Sequence, residues 1–145
     1  MTADEYLEWI TDTAKRICEE YDLPAACVIA QGAIESAWGN SKIGEYNLFG
    51  RKAVPGDKCI ELETQEDDGN GNLYTITANF KDYATLDDAI RDWCELMEWG
   101  PYKEYADQYH TDHDLEAFVY GISTIYATDV NYATKILQTI RGCNL

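Results

Sequence analysis

Basic residues are scarce in this sequence: 11 Lys and Arg stand against 27 Asp and Glu, which gives a formal net charge of -16. The summed negative field of such a chain repels nucleic acids and anionic membrane surfaces. No apolar run approaches the roughly 20 residues that a membrane-spanning helix requires. These shortages argue against a nucleic-acid partner and against membrane insertion, and we expect a soluble monomer.

Cysteine motifs are also missing, although the chain contains five cysteines. An odd number without Cys-x-x-Cys spacing predicts neither a zinc ribbon nor a complete disulfide framework. Cys18, Cys27 and Cys94 lie in apolar helical patterns and are predicted to be small core residues. A single disulfide is the alternative.

Signals for a metal or a cofactor are weak. The turn that starts at Asp68 begins like a calcium-binding loop, but Leu73 stands where that loop needs Gly and Asn79 where it needs a bidentate Glu. His110 and His113 have no third ligand at a recognisable spacing, so we predict a loop there and no metal site. Phosphate-binding loops, nucleophile elbows and Cys-His pairs do not occur as motifs, and we expect no cofactor.

Hydrophobic spacing predicts a mainly helical α+β domain. Helices are predicted after the capping box at Thr2, from Pro24 to a stop at Gly39, from Thr85 to a stop at Gly100-Pro101, after Asp114, and from Thr128 or Asp129 to Gly142. A loop covers residues 40–56, and two alternating segments within residues 59–80 predict a β-hairpin with a polar tip. We therefore predict one domain over residues 1–145, with the hairpin as a lobe over residues 57–82, inserted after the second helix.

Glu35 is the most informative carboxylate of the chain. It stands in Ala30-Gln-Gly-Ala-Ile-Glu-Ser-Ala-Trp-Gly39, an almost uncharged segment at the end of the second predicted helix. Apolar surroundings and the negative end of the helix dipole both disfavour the ionised form, so we expect the pKa of Glu35 to be raised. Such a carboxyl group suits general acid catalysis, whereas a structural Glu held by a backbone or Arg partner is the alternative.

The predicted hairpin supplies a second set of carboxylates. They are Glu61, Glu63, Glu66, Asp67 and Asp68. Two carboxyl groups across a cleft suit cleavage of a glycosidic bond, because one protonates the leaving oxygen while the other activates water, attacks the sugar or stabilises the transition state. Alternation places Glu61 and Glu63 on one strand face, where they are predicted to be solvated, and Glu66 near the turn, from which it can reach a substrate. A charged hairpin that serves only solubility is the alternative.

Aromatic side chains are further candidates for a sugar site, because their flat apolar rings can stack on the apolar faces of sugars while a phenol or indole supplies a polar group. The candidates are Trp38, Tyr46, Phe49, Tyr83, Tyr126 and Tyr132. Core packing is the competing role for each of them and the more common one for Trp38, Phe49 and Tyr132. Tyr126 differs because it precedes the cap of the last predicted helix, where a phenol can point into a groove.

Several motifs, taken in order, resemble glycoside hydrolase family 73, the peptidoglycan N-acetylglucosaminidases. The segments are Ala30-Gln31 with Glu35-Ser-Ala-Trp-Gly39, Asn47-Leu-Phe-Gly-Arg-Lys52, Thr64-Gln-Glu66 with Phe80-Lys-Asp-Tyr83, and Tyr126-Ala-Thr-Asp-Val-Asn-Tyr-Ala133. The resemblance runs from about Tyr21 to Arg141. It implies a lysozyme-like fold with a helical lobe and a β-lobe.

Carried over residue by residue, the resemblance implies roles for the matching side chains. Glu35 becomes the general acid, Glu66 the assisting hairpin carboxylate, and Tyr126 a groove tyrosine near the reacting sugar. The substrate-binding candidates on these motifs are Asn47, Phe49, Trp38, Tyr83 and Asp129.

The chain also departs from the family pattern. Ala37 stands where Gly is usual and Val130 where Pro is usual. Two extra residues lie between Glu66 and Gly71 if Gly71, the second glycine of the hairpin tip, is the turn glycine. This shift leaves Glu63 and Asp67 as alternatives to Glu66.

The activity that the resemblance implies is hydrolysis of the bond between N-acetylglucosamine and N-acetylmuramic acid in the glycan strands of bacterial peptidoglycan. A muramidase or lytic transglycosylase of the same fold, and a non-catalytic wall-binding module, are the alternatives. The N-terminal residues Met1-Thr-Ala-Asp-Glu5 lack the layout of a secretory signal. We therefore expect action at the bacterial cell wall after phage-type release or another non-standard export, with a detached enzyme domain as the alternative.

Overall fold

A computed structural model describes the whole chain, residues 1–145. In chain order the elements are α1 (Ala3–Tyr21), α2 (Ala25–Ser36), β1 (Cys59–Asp67), β2 (Leu73–Lys81), α3 (Leu86–Met97), a 3-10 turn (Gly100–Tyr102), α4 (Lys103–Asp112), α5 (Leu115–Tyr126) and α6 (Tyr132–Gly142). Helices form the body, and one antiparallel hairpin follows the second of them. The predicted α+β class is confirmed. None of the helices combines the length and the apolar character needed to cross a membrane.

Helix α2 runs through the helical body, and α1 and α6 pack against it. Eight of its 12 residues are buried. Small side chains permit this close packing; for example, Gly32 leaves room for Tyr6 of α1, whose hydroxyl donates to the carbonyl of Ile29 at 2.7 Å. Because α2 is buried along most of its length and ends at the surface, its last turn brings Glu35 to the edge of the core.

Side-chain caps begin three of the helices where the sequence predicts them. Thr2 and Glu5 form a reciprocal capping box at the start of α1, with both bonds at 3.1 Å. Thr85 and Asp114 each accept a hydrogen bond from the backbone N–H three residues further on, at the starts of α3 and α5. Each cap satisfies a donor that the helix itself leaves unpaired.

The end of α2 differs from the prediction, because the helix stops at Ser36 rather than at Gly39. Ala37, Trp38 and Gly39 all adopt left-handed backbone conformations, with φ of 49°, 58° and 81°. The hydroxyl of Ser36 accepts from the Gly39 N–H at 2.9 Å and stabilises this turn. A left-handed conformation is costly for a residue with a Cβ atom, which explains why Gly is the usual residue where this chain has Ala37.

The hairpin has two different faces. Its register runs from Cys59 opposite Lys81 to Asp67 opposite Leu73. One face carries side chains that are partly or fully buried, namely Ile60, Thr64, Glu66, Ile76, Ala78 and Phe80. The other face carries Glu61, Glu63 and Asp67, all exposed. The prediction that Glu61 and Glu63 share a solvated face is confirmed.

The loop before the hairpin pairs with β2. The N–H of Ala53 donates to the Asn79 carbonyl at 2.8 Å, and the N–H of Lys81 donates to the Arg51 carbonyl at 2.9 Å. Backbone hydrogen bonds thus hold residues 51–53 along the edge of β2, and the loop and the hairpin form one unit.

The buried cysteines are core residues, as predicted. Cys18, Cys27 and Cys94 are buried, and all five cysteines of the chain are free thiols. The sulfur atoms of Cys18 and Cys94 lie 3.8 Å apart, which is contact without a covalent bond. Burial raises the pKa of Cys27, so this thiol stays protonated.

Helix α4 occupies a segment for which the sequence interpretation was wrong. His110 lies in this helix and not in a loop, whereas His113 is its C-cap. The His110 ring connects three elements: Nε2 lies 2.7 Å from Glu98 and Nδ1 lies 3.0 Å from the carbonyl oxygen of Asp22. Both partners are acceptors, so these contacts favour the protonated ring, which donates from both nitrogens. Glu98, Asp107 and His110 bring ligand atoms within 4.8 Å of one another, but both ring nitrogens of His110 already face acceptors.

We expect His110 to make the stability of the fold pH-dependent. Burial opposes its protonation, but the hydrogen bond and charge of Glu98 and the contacts with Asp22 outweigh it and raise the pKa of His110. A raised pKa in the folded state contributes stability below the ordinary value of about 6.5 and loses it as pH rises through the folded-state value. The Tm should therefore fall by about 2–4 °C from about pH 6 to about pH 8.5, if the charge-assisted bond is worth about 1 kcal/mol at this partly exposed site.

Calorimetry of the His110→Gln variant provides the control for this prediction. The variant should start from a lower Tm at the acidic end and lose less of it as pH rises. An equal slope in wild type and variant would show that other groups cause the dependence.

Candidate active site

Glu35 is the penultimate residue of α2, and its side chain is exposed. The expectation that apolar neighbours bury this carboxyl group is wrong, because α2 leaves the core in the turn that carries it. Solvent therefore reaches Glu35 in the free protein. A ligand that covers this turn would have to remove the water.

Tyr132 is the direct partner of Glu35. It is the first residue of α6, it is 5% exposed, and its hydroxyl donates to Glu35 Oε1 at 2.7 Å. Burial and then the hydrogen bond to this carboxylate raise the pKa of Tyr132, so the phenol remains a donor. The sequence favours core packing for Tyr132. The ring is indeed buried, but the role of its hydroxyl was missed, because nothing in the local pattern reveals a partner 97 residues away.

Tyr126 extends this pair. It is the last residue of α5, it is partly exposed, and its ring stacks on that of Tyr132 with centroids 5.7 Å apart and planes at 10°. Burial first, and the negative charge of Glu35 second, raise the pKa of Tyr126. The structure thus brings together Glu35, Tyr126 and Tyr132 from three different helices.

Glu66 lies on the partly buried face of the hairpin. Its carboxylate is 3.8 Å from Lys52 Nζ, and Lys52 itself pairs with Phe80 of β2. Glu63 and Asp67, the two alternatives, lie on the opposite face and are exposed. Of the acidic residues in β1, only Glu66 shares a face with the side chains that turn inward.

Asn47 is placed differently from the sequence prediction. It is 1% exposed, and its amide group is fully engaged within the protein. The nitrogen donates to the carbonyls of Arg51 and Lys81 at 3.0 Å each, and the oxygen accepts from the Arg51 N–H at 3.0 Å. Asn47 therefore fastens the loop to the base of the hairpin instead of lining an open groove, and it has no polar atom left for a ligand.

Trp38 and Phe49 are partly buried against the helical core. The Trp38 ring meets Tyr6 of α1 edge to face, with centroids 5.7 Å apart at 88°. Phe49 lies beside Gly32 of α2. Core packing thus accounts for part of each ring, and contact with a substrate stays a prediction for both.

Tyr83 belongs to a polar cluster between the hairpin and α3. Its hydroxyl donates to Asp92, which also accepts from Arg51 Nε at 3.1 Å and lies 3.4 Å from Lys81 Nζ. Burial alone would raise the pKa of Asp92, but the hydrogen bonds from Tyr83 and Arg51 outweigh it and lower that pKa. The cluster holds the base of the hairpin against α3, and a substrate contact for Tyr83 stays a prediction.

Asp129 stabilises the turn before α6. Its carboxylate accepts from the Asn131 N–H at 2.9 Å and pairs with Lys135 Nζ at 2.6 Å. Because this turn occupies residues 127–131, α6 begins at Tyr132 and not at Thr128 or Asp129 as the sequence predicts. The same turn lines a cavity of about 510 Å³ together with Tyr126 of α5, so Asp129 and Tyr126 border one cavity.

Comparison with known proteins decides the family. The model of the glucosaminidase family, described as mannosyl-glycoprotein endo-beta-N-acetylglucosaminidase, matches residues 11–145. The chain belongs to the glucosaminidase family. This family is glycoside hydrolase family 73, as the sequence motifs imply, and its members are glycoside hydrolases.

The proteins to which this chain is similar carry different names. The catalytic domain of the Listeria monocytogenes autolysin Auto superposes with a TM-score of 0.87 at 30% identity, covering 98% of this chain and 84% of that one. The exo-glucosaminidase LytG of Bacillus subtilis is 31% identical over 97% of this chain and 51% of its own length. A probable N-acetylmuramidase of Lactococcus lactis is 28% identical over 99% of this chain and 34% of its own. The lysozyme-like fold is confirmed, and the chain spans about half of the first of these two curated relatives and about a third of the second.

Proposed function

We propose that this glucosaminidase domain hydrolyses the β-1,4 bond between N-acetylglucosamine and N-acetylmuramic acid within the glycan strands of bacterial peptidoglycan, with Glu35 as the general acid. The observation that carries the proposal is the geometry of Glu35: an accessible carboxyl group at the end of a buried helix, with one oxygen held by Tyr132 at 2.7 Å. A fixed but accessible proton donor is what departure of a sugar oxygen requires.

Binding of a glycan would remove water from Glu35, which is exposed to solvent in the free protein. A sugar lying over the last turn of α2 removes water from Glu35, and desolvation favours the protonated form of a carboxyl group. Glu35 Oε1 accepts from Tyr132, so the proton for the leaving oxygen is carried on Oε2. Tyr126 would contact the reacting sugar in this proposal, and its stacking on Tyr132 and its partial exposure support that role.

Glu66 serves as the second carboxylate in this proposal. Its position on the inward face of β1 and its contact with Lys52 support it over Glu63 and Asp67, which face solvent on the other side. An ionised Glu66 would assist the attacking water or stabilise positive charge on the sugar ring.

Analysis of the new chain ends tests the linkage. Purified peptidoglycan is digested, reduced with borohydride and hydrolysed to its sugars. The proposed activity leaves N-acetylglucosamine at the new reducing ends, which borohydride and hydrolysis convert to glucosaminitol. The lengths of the released glycans distinguish cleavage within strands from removal of terminal sugars. Sacculi incubated without enzyme give the background.

Two rival functions predict other ends. A muramidase of the same fold, which the name of the Lactococcus relative suggests, would give muramicitol, and a lytic transglycosylase would give anhydromuramic ends without new reducing sugars. A non-catalytic wall-binding module would sediment with sacculi and release nothing. Any one of these three results would contradict the proposed activity and support the corresponding rival function.

Substitutions along β1 test the choice of the second carboxylate. Glu66→Gln should lower kcat on peptidoglycan by about 100-fold, at the lower end of the range of an acid–base contribution. Glu63 and Asp67 lie on the opposite face of the same strand. The kcat of Glu63→Gln and of Asp67→Asn should stay within about twofold of wild type, since exposed polar substitutions usually have small effects. Initial rates of reducing-end release for the three variants provide the measurement. A larger loss for Glu63→Gln or Asp67→Asn would move the role to that residue.

A further inference from the structure

Trp99 is the most exposed aromatic side chain of the chain, and the mechanism above does not use it. Its side chain is 69% exposed, and the residue is the N-cap of the 3-10 turn that follows α3. A single exposed ring is common at protein surfaces and indicates no function by itself. Trp99 differs because it forms one wall of a cavity.

The cavity has a volume of about 420 Å³ and lies between α3 and the loop that pairs with β2. Its lining residues are Arg51, Asp92, Glu95, Leu96 and Trp99. The last four follow the i, i+3, i+4, i+7 spacing, so one face of α3 and its continuation supply them. Arg51 reaches the cavity from the loop. The volume lies within the range of sites that bind small molecules.

The polar groups of the cavity offer both donors and acceptors. Arg51 donates to Asp92 through Nε, at 3.1 Å, which leaves both Nη groups as donors. Glu95 is exposed, and its Oε1 accepts from the Tyr21 hydroxyl at 3.2 Å, so Oε2 remains as an acceptor. Because two carboxylates outnumber one guanidinium, an anionic ligand is disfavoured.

These features together fit a neutral sugar residue. A pyranose ring presents an apolar C–H face, which can stack on the Trp99 indole beside the aliphatic side chain of Leu96. Its hydroxyl groups both donate and accept, so they can pair with Glu95 and with the Nη groups of Arg51. An apolar protein partner would instead leave these charged groups buried without partners.

The loop that carries Arg51 separates the cavity from Glu66. Residues 51–53 pair with the edge of β2 as an extended segment. Side chains alternate along such a segment, so Arg51 and Lys52 point to opposite sides. Lys52 lies 3.8 Å from Glu66. Arg51 bonds Asp92 of α3 instead. A sugar in the cavity is therefore not the one on which Glu66 would act.

We propose that this cavity is a second glycan-binding site, which holds an N-acetylglucosamine unit of the wall glycan away from the bond that is cut. The identity of the ligand rests on the proposed function, because the glycan strand is the sugar polymer on which the domain would act. Of its two sugars, N-acetylglucosamine lacks the lactyl group that muramic acid carries. A second contact with the same strand raises its affinity without touching the reacting atoms. Such binding lowers KM and leaves kcat unchanged.

Kinetics on peptide-free glycan strands, released from sacculi by an amidase and separated by length, test this site. Trp99→Ala should raise the apparent KM for long strands by about three- to tenfold, the contribution of one stacked ring, with kcat unchanged. On the shortest fragments that wild type cleaves, variant and wild type should have equal KM, because such fragments cannot occupy both sites. Trp99→Phe keeps a ring and should retain most of the affinity.

Leu73→Ala is the matched control. Leu73 is 67% exposed and lies opposite Asp67 on the outward face of the hairpin, so its loss removes a similarly exposed apolar side chain far from the cavity. Its KM and kcat should equal those of wild type. Thermal unfolding curves should show that Trp99→Ala and Leu73→Ala both keep the fold, since neither side chain belongs to the core.

Three results would overturn the inference. The first is an unchanged KM of Trp99→Ala for long strands. The second is an equal rise in KM on the shortest fragments, which would place Trp99 in the catalytic groove. The third is a wild-type dimer in ultracentrifugation that Trp99→Ala abolishes without a change in KM, which would make the cavity an interface between copies of this chain.

Binding measurements separate this inference from the proposed function. Calorimetry with long strands in the Glu35→Gln background should show weaker binding when Trp99→Ala is added, by the same factor as the rise in KM. If wild type cleaves no strands, the proposed function fails, and weaker binding by the double variant would still support the sugar site. If wild type cleaves strands and the double variant binds them as tightly as Glu35→Gln, only the sugar site fails.

Discussion

Glu35→Gln should lower kcat on peptidoglycan by about 10²- to 10⁴-fold, the range that a positioned general acid contributes. The amide keeps the shape of the side chain and can still accept from Tyr132 through its oxygen, so the fold and the hydrogen bond at 2.7 Å should survive. What it lacks is a proton that can be transferred to the leaving sugar. Mass spectrometry of the muropeptides released by wild type and variant measures the loss of activity. Thermal unfolding curves of the two proteins show whether the fold survives.

The matched control for this substitution is Glu61→Gln. Glu61 is exposed on the outward face of β1, so the same chemical change there should leave the rate within about twofold of wild type. Full activity of Glu35→Gln would remove Glu35 from the mechanism. If wild type and Glu35→Gln both bind sacculi and wild type releases no muropeptides, the protein is a wall-binding module instead.

Much of the fold could be predicted because local chemistry determines it. Thr2, Thr85 and Asp114 cap helices as their side chains predict, since the cap and its partner are only three residues apart. The hairpin follows from the alternation of apolar and polar residues and from a polar tip of Gly, Asn and Asp residues. Its strands pair from Cys59 opposite Lys81 to Asp67 opposite Leu73. In each case the interaction that decides the structure lies within a few residues of sequence.

Helix α4 was missed although its sequence contains a signal. Most of its residues are polar, and only Ala106 is fully buried within it. Spacing of Tyr102, Ala106 and Tyr109 by three or four residues is nevertheless helical, and these side chains face the core. The stop predicted at Gly100-Pro101 and the two histidines without a metal-ligand pattern favour a loop, whereas this spacing favours the helix that forms.

Roles that depend on distant partners could not be read from the sequence. Asn47 was assigned to the groove by its motif, but its amide binds the carbonyl of Lys81, 34 residues away. Glu35 was expected to be buried because its sequence neighbours are apolar, yet exposure depends on where α2 ends relative to α5 and α6. The motifs at Glu35 and at Tyr126–Tyr132 thus identify segments that the structure brings together, whereas packing decides which side chains reach a ligand.

Gly121→Ala should destabilise the domain more than any other single methyl addition to a helix interior. Gly121 is buried in α5, where a Cβ atom would lie 2.6 Å from Cγ of Tyr105 and closer still to the edge of that ring. Alanine is normally the better helix former by about 1 kcal/mol, but the overlap forces α4 and α5 apart or moves the ring, at about 1–3 kcal/mol or more. Subtracting the gain in helix propensity leaves a net loss of up to about 2 kcal/mol, so we expect the Tm to fall by up to about 8 °C, measured by calorimetry.

Two further variants separate this overlap from a general effect of adding a methyl group. Gly142→Ala, at the end of α6, meets no atom within 4 Å and should leave the Tm unchanged or slightly higher. In a Tyr105→Ala background the ring is gone, so Gly121→Ala should raise the Tm through its helix propensity alone. If Gly121→Ala lowers the Tm equally in both backgrounds, the contact between α4 and α5 at Tyr105 is not the reason that α5 carries glycine there.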